Sequence, residues 1–505
     1  MAKNVYNFLV AFGAAMGGLL FGYEIGVMSQ VLVMYSTFGM YFGIVDPDPE
    51  IPGKYIEKDS YANSTGNLTM SFLGGAILGA ALVSYVADFA GRKRSIFVGG
   101  LFFCGGGCIQ AASQNLNMLI GGRIVSGFGV GFLAQVVPIY IAETAPAHLR
   151  GALVAIQQFM LVIGILIASC VNAVVYKFVT SQNQWRIALG IQVVPGLVLL
   201  FLNMFLPFSP RWLANKDRNE EAIKILATLR GLPVSDSGVQ AEFAEITEHI
   251  ALERQVGTAS FSELLKPGIR NRVFIGFMIQ VCQQWTGINF ILYYIPNIIE
   301  KIGFSQETAS IPFTISNNML MALATIPGLY WIERTGRRKL MMTGAAGMCA
   351  CLLVTCLSVA MSKEHGAVWG WIAVLSIFSF TANFAFGWGA VPWVYPSEIF
   401  PLRIRSKGMG IATMSNLFWN GCIGKVSPLI AAKIDYWIYL VFAVACVLMG
   451  IWTYFYIPET MGLSLEDIDV LFGGEKFTSS VDAHVRSGKS LEGGEVMYVG
   501  KEDKN

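Results

Sequence analysis

The sequence is poor in charge: Asp, Glu, Lys and Arg make up 13% of its 505 residues, about half the share usual in soluble domains. Histidine is scarcer still, with four residues spread over loops and the C-terminal segment, at 148, 249, 365 and 484. That scarcity leaves no His/Cys cluster at metal-ligand spacing. The nine cysteines, at 104, 108, 170, 282, 349, 351, 356, 422 and 446, all fall within apolar runs, where they read as small packing residues and imply no disulfide. No run offers a nucleophile, a base and an orienting group at plausible spacing, so the chain is not read as an enzyme. The formal net charge of +2 gives no reason to expect a nucleic-acid partner, and no cofactor is implied.

Hydrophobic residues are abundant, at 54% with a mean hydropathy of +0.56. Runs long enough to cross a bilayer, ~20 residues each, recur near 8–33, 66–87, 95–113, 118–141, 153–176 and 186–207. Six more lie near 272–299, 308–332, 340–361, 369–395, 408–431 and 435–457. The expected fold class is an all-α membrane protein of twelve transmembrane helices. The first run is too long and too weakly flanked by basic residues for a cleavable signal, and it is expected to remain in the mature protein.

Basic residues cluster in alternate loops: Arg92, Lys93 and Arg94; Arg150; Arg334, Arg337, Arg338 and Lys339; Arg403, Arg405 and Lys407. The other loops hold only the scattered Lys54, Lys58, Lys177, Arg186, Lys301, Lys363 and Lys433. The positive-inside rule then puts both termini on the cytoplasmic side.

The chain also repeats itself. "ADFAGRKR" at 87–94 returns as "IERTGRRK" at 332–339, and "ETAPAHLRG" at 143–151 returns as "EIFPLRIRSKG" at 398–408. Two parallel halves are implied, 1–207 and 271–458, each of six helices. Between them 208–270 is charged and amphipathic, as in "NEEAIKILATLR" at 219–230, and reads as short cytoplasmic helices. Residues 459–505 form a cytoplasmic tail. Parallel halves joined this way are the arrangement of the major facilitator superfamily, with a substrate site between them near the midplane.

At the inner ends of neighbouring helices, Asp88 with Arg92, Glu143 with Arg150, and Glu398 with Arg405 could pair to latch the cytoplasmic side, with Arg337 in the second repeat loop. Solvated loop charges are the alternative reading of each pair.

Polar residues inside the spans point to the cargo. Gln280, Gln283, Gln284 and Asn289 place amides on an otherwise apolar helix, and amides can donate to and accept from the hydroxyls of a neutral polyol. Glue between helices is the competing use of such amides. Tyr293, Tyr294 and the helix-disrupting Pro296 follow, which suggests a site beneath a hinged outer segment. In the tenth span Gly387, Gly389 and Pro392 allow a bend. In the first span Gly18, Gly22 and Gly26 recur every fourth residue and present one face for close packing; "GFGVG" at 127–131 reads likewise.

Glu24 interrupts the first span, where a charge costs roughly 2.5–3.5 kcal/mol and marks a functional candidate. It lies ~24 Å from the inner end of its helix, and Arg123 in the fourth span lies ~22 Å from the inner face of the core. A Glu24–Arg123 pair facing the cavity is therefore expected. Burial favours the neutral acid and the guanidinium favours the carboxylate, so exposure to one side or the other could switch a proton.

The repeated loops, "GRIVSGFGVG" at 122–131, "QQWTGIN" at 283–289, "GWGAVPWVYPSEIFP" at 387–401 and "PETMGLSLEDI" at 458–468 resemble the motifs of the sugar porter family, most of all its fungal high-affinity, proton-coupled monosaccharide transporters. The resemblance runs from the first span to the twelfth. It implies sugar-contacting amides at Gln158, Gln283, Gln284, Asn289 and Asn416, with Trp393 against the sugar ring and Phe384 beside it. An indole suits that task because the CH-rich face of a pyranose packs on it. It also places Arg123 against the first helix. Three positions depart from the pattern: Phe208 stands where the family carries an acid after the sixth helix, Met461 stands for the Lys of the tail motif, and Met321 stands where many relatives have a further sugar-binding amide, with Asn317 and Asn318 as nearby substitutes.

The function implied is a proton-coupled symporter of a monosaccharide, glucose or another hexose or xylose, working by alternating access in the plasma membrane. The expected partners are sugar, protons and the lipid bilayer, and the protein is expected to be monomeric. A passive uniporter of the same fold is the alternative. A non-transporting sugar sensor would be expected to carry a longer extension than the residues following Pro458.

Overall fold

Helix occupies every expected span in the computed structural model, which describes residues 2–472 apart from 33, 50–54, 59–60, 147–148, 257–260, 267, 302–305, 366, 464–467 and 469–470. Lys54, His148 and the tail from 473, with His484, lie outside the described residues. So do the side chains of His249, Tyr294, Pro296, Lys301, Lys363, His365 and Arg403.

The first half comprises α1 (Ala2–Val31), α2 (Tyr61–Ala90), α3 (Arg92–Ala111), α4 (Leu116–Thr144), α5 (Arg150–Phe178), and a sixth span split into α6 (Gln184–Ile191) and α7 (Val193–Phe205). The linker folds as α8 (Pro210–Asn215), α9 (Asn219–Arg230) and α10 (Ser237–Val256). In the second half α11 (Ile269–Trp285) and α12 (Ile288–Lys301) form one span, followed by α13 (Gln306–Thr335) and α14 (Arg337–His365). The tenth span is α15 (Ala367–Asn383), a π-helical segment Phe384–Gly389, and α16 (Val391–Ile399); α17 (Leu402–Ile434) and α18 (Trp437–Tyr456) complete the half.

Eight of these spans are long and apolar enough to cross a bilayer on length and composition alone. The other four, α3, α11 with α12, α13 and α17, carry buried amides: Gln110, Gln280, Gln283, Gln284, Asn289, Asn317, Asn318, Asn416 and Asn420. Their polarity is turned inward, which is why the lipid-facing surface stays apolar.

The glycine stripe of α1 packs on α5. A Cβ on Gly22 would collide with the Leu161 carbonyl oxygen, and one on Gly26 would lie 2.9 Å from that of Ile165. Gly127 and Gly131 meet the backbone of α2 in the same way. The halves meet along two crossings, α2 with α17 and α5 with α13. These are related by the sequence repeat.

The side of the bundle away from the linker carries structure that the sequence does not announce. An antiparallel hairpin pairs Val45–Pro47 with Tyr55–Glu57, and a π-helical turn spans Tyr35–Gly39. Phe38 and Phe42 pack on buried Trp185, with ring centroids 5.8 and 5.1 Å away. Asn63 and Asn67, which satisfy a glycosylation pattern, lie within α2. On the opposite side the linker has a small core of its own around Trp212, Leu213, Leu226 and Ile246. It is fastened to the bundle by Asn7 Nδ2 donating to Leu229 O at 2.9 Å, Trp212 Nε1 to Asp88 O at 3.2 Å and Arg230 Nη1 to Thr144 O at 3.1 Å.

Candidate functional site

Between the halves lies a cavity of about 40 Å³, room for a few waters at roughly 10–15 Å³ each. All seven residues expected to touch sugar line it: Gln158, Gln283, Gln284, Asn289, Phe384, Trp393 and Asn416. Phe21 and Ile25 of α1, Met321 of α13 and Asn420 of α17 complete its character. Asn420 was missed, although it stands one helical turn after Asn416 and so on the same face. The substitutes suggested for Met321 do not line this cavity. Asn318 Nδ2 donates to Ser169 Oγ at 2.9 Å, and neither it nor buried Asn317 is among the lining residues.

The amides of α11 do two jobs at once. Pro392 and Pro396 lack an N–H, so the carbonyls four residues earlier, those of Trp388 and Pro392, lose their helical donors. Gln283 Nε2 donates to Trp388 O at 2.7 Å and to Gly389 O at 3.1 Å, and Gln280 Nε2 donates to Pro392 O at 2.6 Å. The oxygens of both glutamines accept from Asn416 Nδ2, at 2.6 Å for Gln280 and 2.7 Å for Gln283. Gln280 is not among the cavity-lining residues, and its contacts are those of helix glue. Gln283 is both glue and lining. Across the break between α11 and α12, Asn289 donates to Gln284. That break falls at Gly287, whose φ of +86° suits glycine, rather than at Pro296, which α12 carries through as helix.

Glu24 and Arg123 meet, with Nη1 3.2 Å from Oε1 and both side chains buried. Gln110 Nε2 at 3.0 Å and Ser126 Oγ at 3.2 Å donate to the same oxygen, while Arg123 Nε is held by Leu68 O at 2.7 Å. Oε2 of Glu24 has no hydrogen-bond partner among the described residues. The pair does not face the cavity as expected. Gly18, Gly22 and Gly26 commit one face of α1 to α5, and Phe21 and Ile25 turn another to the cavity, which leaves Glu24 pointing into the first half against α3 and α4. Two links reach back to the cavity. α1 itself carries Phe21 and Ile25, and Tyr293, within electrostatic reach of Arg123, donates to Asn420 Oδ1 at 3.1 Å.

The inner charges pair differently from the expected scheme. Arg92 lies 3.3 Å from Asp88, as expected, but Glu143 is bound by Arg92 at 3.0 Å and by Ser209 Oγ at 2.5 Å, not by Arg150. Glu398 is bound by Arg337 at 2.7 Å and by Thr460 Oγ1 at 2.8 Å, not by Arg405, whose Nε donates to Phe400 O. Glu333, 2.9 Å from Arg337, completes the second set. Each half thus builds the same acid–arginine–acid–hydroxyl cluster, Asp88–Arg92–Glu143–Ser209 and Glu333–Arg337–Glu398–Thr460. Gly91 and Gly336, at φ +91° and +88°, set each arginine at a helix start. Each arginine keeps the acid four residues before it and also takes one brought in by the fold.

These clusters lie within halves, and other groups join the halves on the linker side. Ser406 Oγ donates to Ser84 O at 3.2 Å, and Gln135 Nε2 donates to Ser406 O at 2.9 Å. Gly151 of α5 abuts Glu333 and Arg337.

A family model described as "Sugar (and other) transporter" matches residues 10–472. The chain belongs to this family. It is 33% identical to the MFS glucose transporter mfs1 of Aspergillus flavus, over 93% of this chain and 90% of that one. It is also 33% identical to the H(+)/hexose cotransporter 1 of Parachlorella kessleri, over 95% and 90%. The proton:xylose symporter XylE bound to 6-bromo-6-deoxy-D-glucose superposes with a TM-score of 0.81 at 28% identity, covering 93% of this chain and all of that one. For the inward open conformation of XylE from E. coli the score is 0.69, at 27% identity over 92% of this chain. The fold is that of the major facilitator superfamily, a multi-pass membrane transporter and not an enzyme.

Proposed function

We propose that the chain is a proton-coupled monosaccharide symporter of the plasma membrane, with both termini cytoplasmic, carrying a hexose or xylose by alternating access as a monomer. The halves 1–207 and 271–458 rock as units about the cavity, with 208–270 and 459–505 on the cytoplasmic side. The sugar is held by Gln158, Gln283, Gln284, Asn289 and Asn416, with Trp393 and Phe384 against its ring.

The observation that carries the coupling is the buried Glu24, with three donors on Oε1 and none described on Oε2. Oε2 is the atom that takes the proton. When the outer side is open, protonation neutralises the acid and loosens its hold on Arg123. α1 then shifts, and with it Phe21 and Ile25 in the cavity wall, so sugar binding and closure are favoured. When the inner side is open, the higher cytosolic pH removes the proton and Arg123 recaptures the carboxylate. The inner clusters around Arg92 and Arg337, with Arg150 and Arg405 beside them, brace the inner helix ends within each half, and the contacts of Ser84 and Gln135 with Ser406 hold the inner side shut until that exchange. The names of the hexose cotransporter and the xylose symporter among its relatives support this reading. At −100 mV each entering proton contributes about 2.3 kcal/mol, roughly a fifty-fold sugar gradient.

The test is uptake of labelled sugars into proteoliposomes with an imposed proton gradient. Accumulation above equilibrium should collapse with a protonophore. Glu24→Gln should abolish accumulation while sugar exchange continues. Accumulation that survives either treatment overturns the coupling and leaves the passive uniporter.

A further inference from the structure

The two halves repeat the chemistry of their inner clusters position for position, and beside them one position changes from acid to ring. In the second half Pro458, Glu459 and Thr460 follow α18; in the first, Pro207, Phe208 and Ser209 follow α7. Tyr395 donates to Pro458 O at 3.0 Å as Tyr140 donates to Pro207 O at 2.7 Å, and Thr460 meets Glu398 as Ser209 meets Glu143. The register is therefore fixed, and Phe208 stands where Glu459 stands.

In the second half the Glu459 carboxylate neutralises the start of α14. Its oxygens accept from the backbone N–H groups of Arg337 at 2.8 Å and Arg338 at 3.1 Å. In the first half no such carboxylate exists. α3 begins without a side-chain cap, and three cations surround the Phe208 ring: Lys93 Nζ at 5.3 Å, Arg94 at 5.8 Å and Arg218 at 6.0 Å from its centroid. Arg218 pairs with Glu221, and neither Lys93 nor Arg94 meets a carboxylate among the described residues. A ring face attracts cations but brings no net charge, so with Glu221 taken by Arg218 and Lys93 Nζ donating only to the Met204 carbonyl at 3.0 Å, the like charges of Lys93 and Arg94 converge there without a carboxylate of their own. The exposed side chains of Phe201, Met204 and Phe205 on α7 lead from this point into the lipid-facing surface.

We propose that Lys93, Arg94 and Arg218 around Phe208 bind the phosphate headgroup of an anionic phospholipid, whose acyl chains lie along α7. The lipid supplies from outside the negative charge that Glu459 supplies internally in the other half. Basic pockets at the cytoplasmic surface suit this ligand class. The leaflet assigned, the inner one, rests on the orientation proposed above; the headgroup chemistry does not.

The experiment uses the full chain in nanodiscs of phosphatidylcholine with or without phosphatidylglycerol, of equal composition in both leaflets, with retained lipid counted by native mass spectrometry. The wild type should retain phosphatidylglycerol above its bulk share. Lys93→Ala with Arg94→Ala should lower that retention, by roughly fivefold per cation removed. Phe208→Glu should abolish the enrichment by restoring the internal carboxylate with every cation in place, and Phe208→Leu should keep it. Equal retention by the wild type and Phe208→Glu overturns the assignment. So does loss of the bound lipid to inorganic phosphate alone, which would make free phosphate the ligand. Lipid retention is read without sugar or a proton gradient, so it can fail while transport succeeds, and the reverse.

Discussion

Glu24 accepts from Arg123, Gln110 and Ser126 on a single oxygen, so its charge depends on neighbours from two other helices. Gln110 is the least conspicuous of them, a lone amide in a glycine-rich span, and it also donates to Ser126 Oγ at 2.9 Å. Replacing it with Leu deletes a donor to a buried carboxylate, a change worth about 1–3 kcal/mol. The expected outcome is an altered pH profile of sugar accumulation with a nearly unchanged sugar KM, measured by uptake at stepped external pH. A purely structural role would lower uptake equally at every pH. Arg123 was legible because a charge at matching depth is rare in a span; Gln110 was not, because glutamines in spans have several uses.

At the scale of elements, the tenth span bends where its sequence removes hydrogen bonds and is stitched where α11 returns them. Gln280→Leu should leave Pro392 O unpaired and lower the thermal stability of the purified protein by about 1–3 kcal/mol. Adding Pro396→Ala restores an N–H four residues ahead of that carbonyl, so the double variant should recover part of the loss, and a thermal-unfolding double-mutant cycle reads the coupling. Additive losses would show that the two groups do not serve one carbonyl. The prolines, glycines and amides of these spans were each visible in the sequence. Which glutamine faces the cavity and which braces a neighbour was not, because both uses require the same amide at the same helical spacing.

For the whole molecule, contacts between α2, α4 and α17 join the halves on the linker side of the cavity, and Asn318 and Ser169 join α13 to α5. The cavity between these seals holds water-sized groups, so taking a pyranose requires the halves to part. Ser84→Cys with Ser406→Cys should therefore cross-link under mild oxidation, stop transport and recover it on reduction, with each single variant as control because nine native cysteines are present. Unimpaired transport by the cross-linked protein would show that α2 and α17 do not separate at this level during the cycle.

The sequence by itself determined the spans, the two-fold repeat, the amphipathic linker and the residue types of the cavity. Bilayer thickness and hydrogen-bond chemistry leave few ways to place apolar runs, buried amides and a lone acid in one chain. Only the tertiary structure decided which arginine each inner carboxylate takes, which way Glu24 turns, and that the seventh span breaks at Gly287. Those outcomes depend on helix rotation and on neighbours far apart in the chain, and glycine stripes, proline-freed carbonyls and competing partners fix them only once the helices have packed.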